Sequence, residues 1–325
     1  MKKELLKYLV CPYTKEELIL SNEILDNNNE VVKGELISVK SKKKYFIKNY
    51  VPIMMLNTKT QKKFKDWEQE WLDKDFEFNL EKGDTGASKR IFEMDYKTNE
   101  FDFGNDLILE AGCGGGRITS MIYRKEVKNY FCMDISNAIY EAREKHKDKQ
   151  NIHFIKGDLS NPPFKKNSLN KIFLIGVLQH TKNPYKSVEV LSYILKKEGY
   201  FFGGNYLLPE NFFVRYRFYF TEFLRFLFRN LRVSSKFVKS FTKISIYARK
   251  FIFLRPLQWI FFNNTIPKNY SDKYLWLINY DYYNPNIYQH MYTREETKNI
   301  FLRSGLYPIL ESKSVPNSYV FKKGI

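Results

Sequence analysis

Short apolar runs separated by helix-length amphipathic stretches dominate the middle of the chain. Leu107-Ile108-Leu109-Glu110, Tyr130-Phe131-Cys132-Met133-Asp134, Ile152-His153-Phe154-Ile155, the run from Lys171 to His180 and Gly199-Tyr200-Phe201-Phe202-Gly203-Gly204 each have strand length. Runs of that kind alternating with helices predict a parallel sheet covered on its faces by helices. The rhythm differs on either side. Residues 1–58 carry brief alternating segments, such as Glu35 to Val39 and Tyr45 to Ile47, broken by polar turns at Asn27 to Asn29, and predict a small β-rich module. Residues 59–104 are charged and predict a helical connector, in which Trp67 and Trp71, four apart, share one face. The α/β region spans 105–208, a basic aromatic helical insertion follows over 209–280, and 281–325 return to the α/β domain with one helix and two short strands. No internal repeat interrupts this order.

Composition adds a core and a charge. The 325 residues are 43% hydrophobic and 28% charged, as in a packed globular protein rather than a disordered one. Lys and Arg number 54 against 36 Asp and Glu, a net charge of +18, which favours an anionic partner such as nucleic acid, a lipid surface or an acidic metabolite. Compositional drift towards Lys, Asn, Ile, Phe and Tyr is the plainer account. Aromatic residues reach 17%, more than a core requires, and point to a surface that uses them. Cys11, Cys113 and Cys132 are too scattered for a disulfide framework and imply reduced thiols in the cytoplasm. The charged amino end predicts no secretory signal, and no apolar run approaches the roughly 20 residues that span a bilayer.

Candidate chemistry concentrates where the first strand of the α/β region ends. Ala111-Gly112-Cys113-Gly114-Gly115-Gly116 leads from that strand into a helix-like segment beginning at Arg117. Without Cβ atoms, such a bend brings backbone amides and a helix amino end close to a nucleotide-like ligand, although a plain tight turn has the same composition. Arg117 stands where a dinucleotide fingerprint would place its third glycine, so the pattern is E-x-G-x-G-x-G, which argues against a nicotinamide enzyme. Asp134 ends the second strand 22 residues after Gly112, the distance at which a carboxylate reaches ribose hydroxyls. Ser136 is placed to cap the next helix. Gly157-Asp158-Leu159 closes the third strand with another acid. A solvated strand end accounts for any one of these carboxylates, whereas the ordered set marks the carboxyl edge of an open sheet as a ligand site.

At these residues the chain resembles the class I S-adenosylmethionine-dependent methyltransferases over roughly 100–323. Glu110, Gly112, Gly114 and Gly116 match the first motif, Asp134 the second, and Asp158-Leu159 the third. Arg117 and Gly176-Val177-Leu178-Gln179-His180-Thr181 are similar to the small-molecule branch, and Gln179 joins the cofactor residues on that ground. The resemblance implies a Rossmann-like, seven-stranded, mostly parallel sheet in the order 3-2-1-4-5-7-6 with S-adenosyl-L-methionine as cofactor. It places the methionyl part beside Glu110 and Gly112, the ribose on Asp134, the adenine between Ile135 and Leu159, and the adenine amino group on Asp158. Asn170-Lys171 departs from the Phe-Asp of many relatives, away from the cofactor edge. Asn161-Pro162-Pro163-Phe164 matches a base-methylating motif in letters but precedes the fourth strand instead of closing it, and reads as a turn.

The amino module, through Leu5 to Pro12 and Tyr45 to Met54, resembles a zinc-ribbon-like activator domain of methyltransferases. Thr14 occupies the position of the second ligand in C-P-x-C, so the module is expected to be metal-free, with a nucleic-acid platform as the alternative. In the insertion, Phe220, Leu224, Leu227 and Leu231 recur at helical spacing while Arg225, Arg229 and Arg232 fall on a neighbouring face. A lid over the acceptor, an element on an anionic membrane surface and a contact for single-stranded RNA are the three readings of this block. The polar, aromatic segment from Asp281 to Thr293, with Tyr288-Gln289-His290 in it, precedes a helix that Thr293 and Glu296 can cap, and should overhang the cofactor edge as a loop. His180 and His290 are the candidate general bases, each with a purely hydrogen-bonding role as the alternative. The expected reaction is methyl transfer to a small-molecule, lipid-linked or glycan acceptor, by O-methylation. An RNA methyltransferase and a noncatalytic scaffold on a cofactor fold are the alternatives.

Overall fold

Backbone pairing joins both ends of the chain to one sheet. The computed structural model describes residues 1–56, 96–123, 127–254, 272–284, 288–313 and 317–325. Trp67 and Trp71, most of the predicted 59–104 connector, and the part of the basic block from 255 to 271 lie outside them.

After a 3-10 turn at Lys3–Lys7 come β1 (Leu18–Leu25), β2 (Val31–Ser38), β3 (Lys44–Lys48) and β4 (Val51–Met54), each antiparallel to the next. Their turns explain the polar residues between them. Asp26 Oδ1 accepts from the backbone of Asn28 and Glu30, both at 2.9 Å, and Asn49 and Tyr50 take the left-handed conformation that a two-residue hairpin turn demands. The α/β region then runs β5 (Leu107–Ala111), α1 (Thr119–Ile122), β6 (Asn129–Asp134), α2 (Ala138–His146), β7 (Ile152–Gly157), β8 (Leu169–Leu174), α3 (Pro184–Ile194) and β9 (Leu195–Gly204). A two-residue strand β10 (Tyr206–Leu207) leads to three helices, α4 (Phe212–Asn230), α5 (Ser235–Lys250) and α6 (Asp272–Tyr283). The chain ends with β11 (Met291–Tyr292), α7 (Arg294–Leu302), β12 (Leu306–Glu311) and β13 (Ser318–Lys323).

The sheet has eleven strands in the order β1-β2-β3-β4-β7-β6-β5-β8-β9-β13-β12, which corrects the expectation of seven. The extra four belong to the amino module. Its last strand pairs in parallel with β7, Met54 opposite Gly157, so the expected seven-strand order describes only the stretch from β7 to β12. The module is also fastened by Asn161-Pro162-Pro163-Phe164, the tetrapeptide read as a turn. Val10 N donates to Pro163 O at 2.9 Å, Lys15 Nζ to Pro162 O at 2.8 Å, and Leu9 bridges Phe164. Cys11 is buried inside the module with its sulfur 3.1 Å from the Tyr45 hydroxyl.

Residues of β6 and β7 are buried almost throughout, as expected of parallel strands covered on both faces. Side chains alternate between two cores. Leu109, Phe131, Met133, Ile155 and Ile172 pack with Leu5 and Leu9 of the module and with α3 and α7. Ile108, Tyr130, Cys132, Phe154 and Phe173 pack with Ile139 and Ala142 of α2. Fully burying an aliphatic or aromatic side chain of this size stabilises by about 1.5–3 kcal/mol, so Leu5 and Leu9 alone make the module part of the main core. The departure at Asn170-Lys171 has a local account, since buried Lys171 pairs with Asp106 at the opposite end of β5 from the glycine bend.

Helices α4, α5 and α6 enclose a small core of Val238, Tyr280 and Tyr283, against which Leu224, Phe228 and Phe241 pack. Here the predicted arginine stripe is corrected at one position: Arg225 is 2% exposed and bonded to Glu222 Oε1 at 2.6 Å, because α4 turns it inwards with Phe218 and Thr221, whereas Arg229 and Arg232 are exposed. Among the described residues no helix is long and apolar enough to cross a membrane.

Candidate active site

Three glycines of the predicted bend adopt backbone that only glycine holds without strain: Gly112 at φ +80°, Gly114 at +52° and Gly116 at +83°. A Cβ on Gly112 would lie 2.5 Å from Val177 Cγ2, and one on Gly116 would lie 3.1 Å from Ala142 Cβ. The bend is therefore pressed between the turn after β8 and helix α2. It is also pinned, since Gly112 N donates to Met133 O at 2.7 Å and Gly116 N to Cys113 O at 3.0 Å.

Asp134 stands beside it at the end of β6. Its Oδ2 accepts from Gly114 N at 2.8 Å, and Oδ1 accepts from Ser136 N at 2.8 Å and Ser136 Oγ at 2.7 Å. Ser136 Oγ in turn accepts from Ala138 N at 3.3 Å, the capping role its position predicted. A carboxylate offers about four lone-pair sites, so the Asp134 oxygens keep capacity for ribose hydroxyls while holding the glycine loop. Asp158 Oδ1 accepts from Ser160 N at 2.8 Å, fixing the turn after β7. Ile135 and Leu159 are half-buried beside these two acids, apolar surface at the strand edge suited to a planar base.

Glu110 is 3% exposed one residue before the bend. Thr119 Oγ1 donates to its Oε2 at 2.6 Å and the Tyr130 hydroxyl at 2.9 Å, while Oε1 has no hydrogen-bond partner among the described residues. Burial pushes its carboxyl up to about 7, against the two hydrogen bonds that favour the charged form. The cofactor fit is good on these grounds: a side-chain-free bend, two strand-end carboxylates with spare acceptor capacity, and a buried carboxyl oxygen without a partner.

On the other side of β5 the edge is closed by the turn after β8 and the segment before α7. Gln179 is 1% exposed with Nε2 unpartnered among the described residues. Its carbonyl accepts from His290 N at 2.9 Å, and β11 pairs with β10 in parallel, Met291 opposite Tyr206. His180 Nδ1 donates to Tyr288 O at 2.9 Å, and His290 Nε2 donates to Thr181 O at 3.0 Å. A carbonyl only accepts, so each bond fixes which ring nitrogen carries hydrogen and leaves the lone pair of the neutral ring on the other. Burial lowers the His290 pKa, partly offset by its bond to Thr181, so the neutral ring prevails near pH 7. The two histidines thus lie together at this edge; of the segment expected to overhang it as a loop, Tyr288 to His290 bond to the turn after β8, whereas Asp281 to Tyr283 belong to helix α6. Residues 285–287 of the 281–293 segment lie outside the described residues. Thr293 and Glu296 form the expected capping box.

Two residues here carry no sequence-based assignment. Gln289 Oε1 accepts from Arg225 Nη1 at 3.1 Å, which orients its buried Nε2 as a donor without a partner among the described residues. Asn205 Oδ1 accepts from Tyr206 N at 2.9 Å, leaving its buried Nδ2 in the same position. Gln289 lay inside the segment singled out next to His290, and that adjacency was the available signal. Asn205 follows the end of the fifth strand, where a ligand-edge residue is expected.

The YcgJ protein of Bacillus subtilis aligns at 22% identity over 43% of this chain and 58% of its own, with a TM-score of 0.37. NodS, an N-methyltransferase of Bradyrhizobium japonicum solved with S-adenosyl-L-homocysteine, aligns at 16% identity over 45% of this chain and 74% of its own, TM-score 0.39. A complex between the Trm112 methyltransferase activator of Haloferax volcanii and a methyltransferase candidate aligns at 13% identity over 82% of this chain and 97% of the other, TM-score 0.43. The chain spans 58%, 57% and 51% of the first three solved structures it matches. No curated protein matches the sequence. Residues 109–203 match the family model described as a methyltransferase domain, and S-adenosylmethionine is the cofactor of this domain.

Proposed function

We propose that the protein transfers the methyl group of S-adenosylmethionine to a hydroxyl oxygen of a small-molecule, lipid-linked or glycan acceptor. The observation that carries this reading is the meeting of two groups on one sheet edge. The bend from Gly112 to Gly116 with Asp134 and Asp158 lies on one side of β5, and Gln179, His180, Asn205 and Gln289-His290 lie on the other.

In this reading Asp134 accepts from the ribose hydroxyls, Ile135 and Leu159 flank the adenine, and Asp158 accepts from the adenine amino group. Glu110, Gly112 and Gln179 face the methionyl part, with Gly114 and Gly116 keeping the bend free of side chains. Bound there, the cofactor supplies an electrophilic methyl group on sulfur. The chain's own task is to hold the acceptor oxygen in line with it, which lowers the barrier by removing translational and rotational freedom. The amide nitrogens of Asn205 and Gln289 are buried donors that an oxygen-rich acceptor would satisfy. His290 receives the acceptor's proton at Nδ1, since Nε2–H is engaged with Thr181 O.

The test is incubation with isotopically labelled cofactor and four separated extracts: small molecules, lipids, glycans and RNA. Label in a base-stable, ether-type product of one of the first three supports the reading. Label in RNA, or binding of S-adenosylhomocysteine without label in any extract, supports the RNA or scaffold alternative instead.

A further inference from the structure

Helix α4 buries Phe218, Thr221 and Arg225, so the opposite side faces water. That side is aromatic. Phe212, Tyr216, Tyr219, Phe223 and Phe226 are 75%, 62%, 56%, 53% and 58% exposed. Steps of four, three, four and three residues put all five on one stripe, about 21 Å long at 1.5 Å per residue. A water-facing helix surface is ordinarily polar, and an exposed apolar patch of this extent marks an interaction site. Helix α5 adds Phe237, Ile244 and Tyr247, exposed at 53%, 53% and 62%, and Ile252 and Phe253 follow at 71% and 72%.

Charge selects the occupant. Residues 212–254 contain ten Lys or Arg and a single acid, Glu222, which is engaged by Arg225. Arg229, Arg232, Lys236 and Lys243 are exposed among the aromatic side chains. A second copy of this face would bring like charge against like. Aromatic side chains with interspersed cations instead suit the boundary between acyl chains and anionic headgroups, where apolar burial and electrostatic attraction act together. Neither α4 nor α5 can cross a bilayer, so both would lie in its plane.

We propose that α4 and α5 form a docking surface for an anionic lipid bilayer. Docking there has a consequence for the site, because the inner face of the same helix holds Arg225 against Gln289. The sheet edge that carries His290 is then held next to the membrane. The proposal does not rest on the methyl-transfer reading, since it is tested by binding alone.

The experiment is sedimentation of the full chain with vesicles of phosphatidylcholine, with and without 30% phosphatidylglycerol, at about 0.15 M salt. A variant carrying Phe212→Ser, Tyr219→Ser, Phe223→Ser and Phe226→Ser is run beside it, with its melting temperature as a control for folding. The wild type should partition onto the anionic vesicles at least tenfold more strongly than onto neutral ones, each cation near the surface being worth about fivefold. The variant should fold normally and lose on the order of a hundredfold. The proposal is overturned if the wild type stays in the supernatant of both vesicles, or if the folded variant pellets as well as the wild type. It is equally overturned if light scattering shows a wild-type dimer that the variant dissolves, or if the variant loses affinity for single-stranded RNA while vesicle binding is unchanged. Should the variant not fold, Phe212→Ser and Phe226→Ser singly give the same comparison at about fivefold each.

Discussion

Replacing Gly112 by alanine tests how tightly the bend is held. At φ +80° an L-residue costs about 1–2 kcal/mol from backbone sterics alone. The new methyl would meet Val177 at 2.5 Å from Cγ2, 2.8 Å from Cγ1 and 3.2 Å from Cβ. Rotating Val177 cannot clear all three atoms, because the contact includes its branch point. Overpacking of this kind costs about 1–3 kcal/mol more. Gly112 N is bonded to Met133 O at 2.7 Å, so the bend cannot slide away without losing that bond. The total of about 2–5 kcal/mol is divided between stability and cofactor affinity. Gly112→Ala should therefore lower the melting temperature and weaken S-adenosylhomocysteine binding at least tenfold by calorimetry. Adding Val177→Ala removes Cγ1 and Cγ2, and should recover the overpacking part while leaving the backbone part. Unchanged affinity in Gly112→Ala, or a double variant no better than the single one, would refute the reasoning.

Two buried groups should give opposing pH dependences. Glu110 titrates at about 7 in the fold against about 4.5 unfolded, so its contribution is full below pH 4.5 and falls as pH rises to about 7, by about 3 kcal/mol. His153 is held down to about 3 by burial and by nearby Lys2, so the unfolded chain takes up its proton near 6.5 and stability falls as pH drops from there. Between pH 4.5 and 6.5 the two trends offset one another in the wild type. Urea melts of Glu110→Gln should expose the acid-side loss, up to about 1.4 kcal/mol per pH unit, and His153→Gln the opposite slope. Parallel profiles for all three proteins would contradict both assignments. His290→Ala should reduce turnover about 10²–10⁴-fold with cofactor affinity nearly unchanged, measured by single-turnover kinetics beside calorimetry. Equal losses in both would make His290 a structural residue. Phe164→Ala empties a fully buried site against Phe131, whose ring centroid is 5.2 Å away, and should cost about 3–5 kcal/mol in a denaturant melt.

What could be read in the sequence was local. The strands from Leu107 to Gly204 and the bend after Glu110 announce themselves through apolar runs and glycines a few residues apart. The capping box at Thr293 is equally self-contained. The pairing of Met54 with Gly157 leaves no such trace, because a parallel neighbour contributed by another part of the chain is set by register alone. The same holds for the Pro162 and Pro163 carbonyls, whose partners lie in the amino module. In α4 the periodicity was visible but its phase was not. Every third or fourth residue is aromatic or leucine on two sides of the helix, and only packing against α5 and α6 decides which side is inner. Arg225 followed the same rule, its polar partner Gln289 being 64 residues away.

The cradle for the methyl donor is tested most directly by titrating S-adenosylhomocysteine into the wild type and into Asp134→Ala. One site on the wild type, and at least a tenfold weaker one on a variant that melts as a folded protein, is the predicted result. No binding to the wild type, or equal affinity in both, would contradict it.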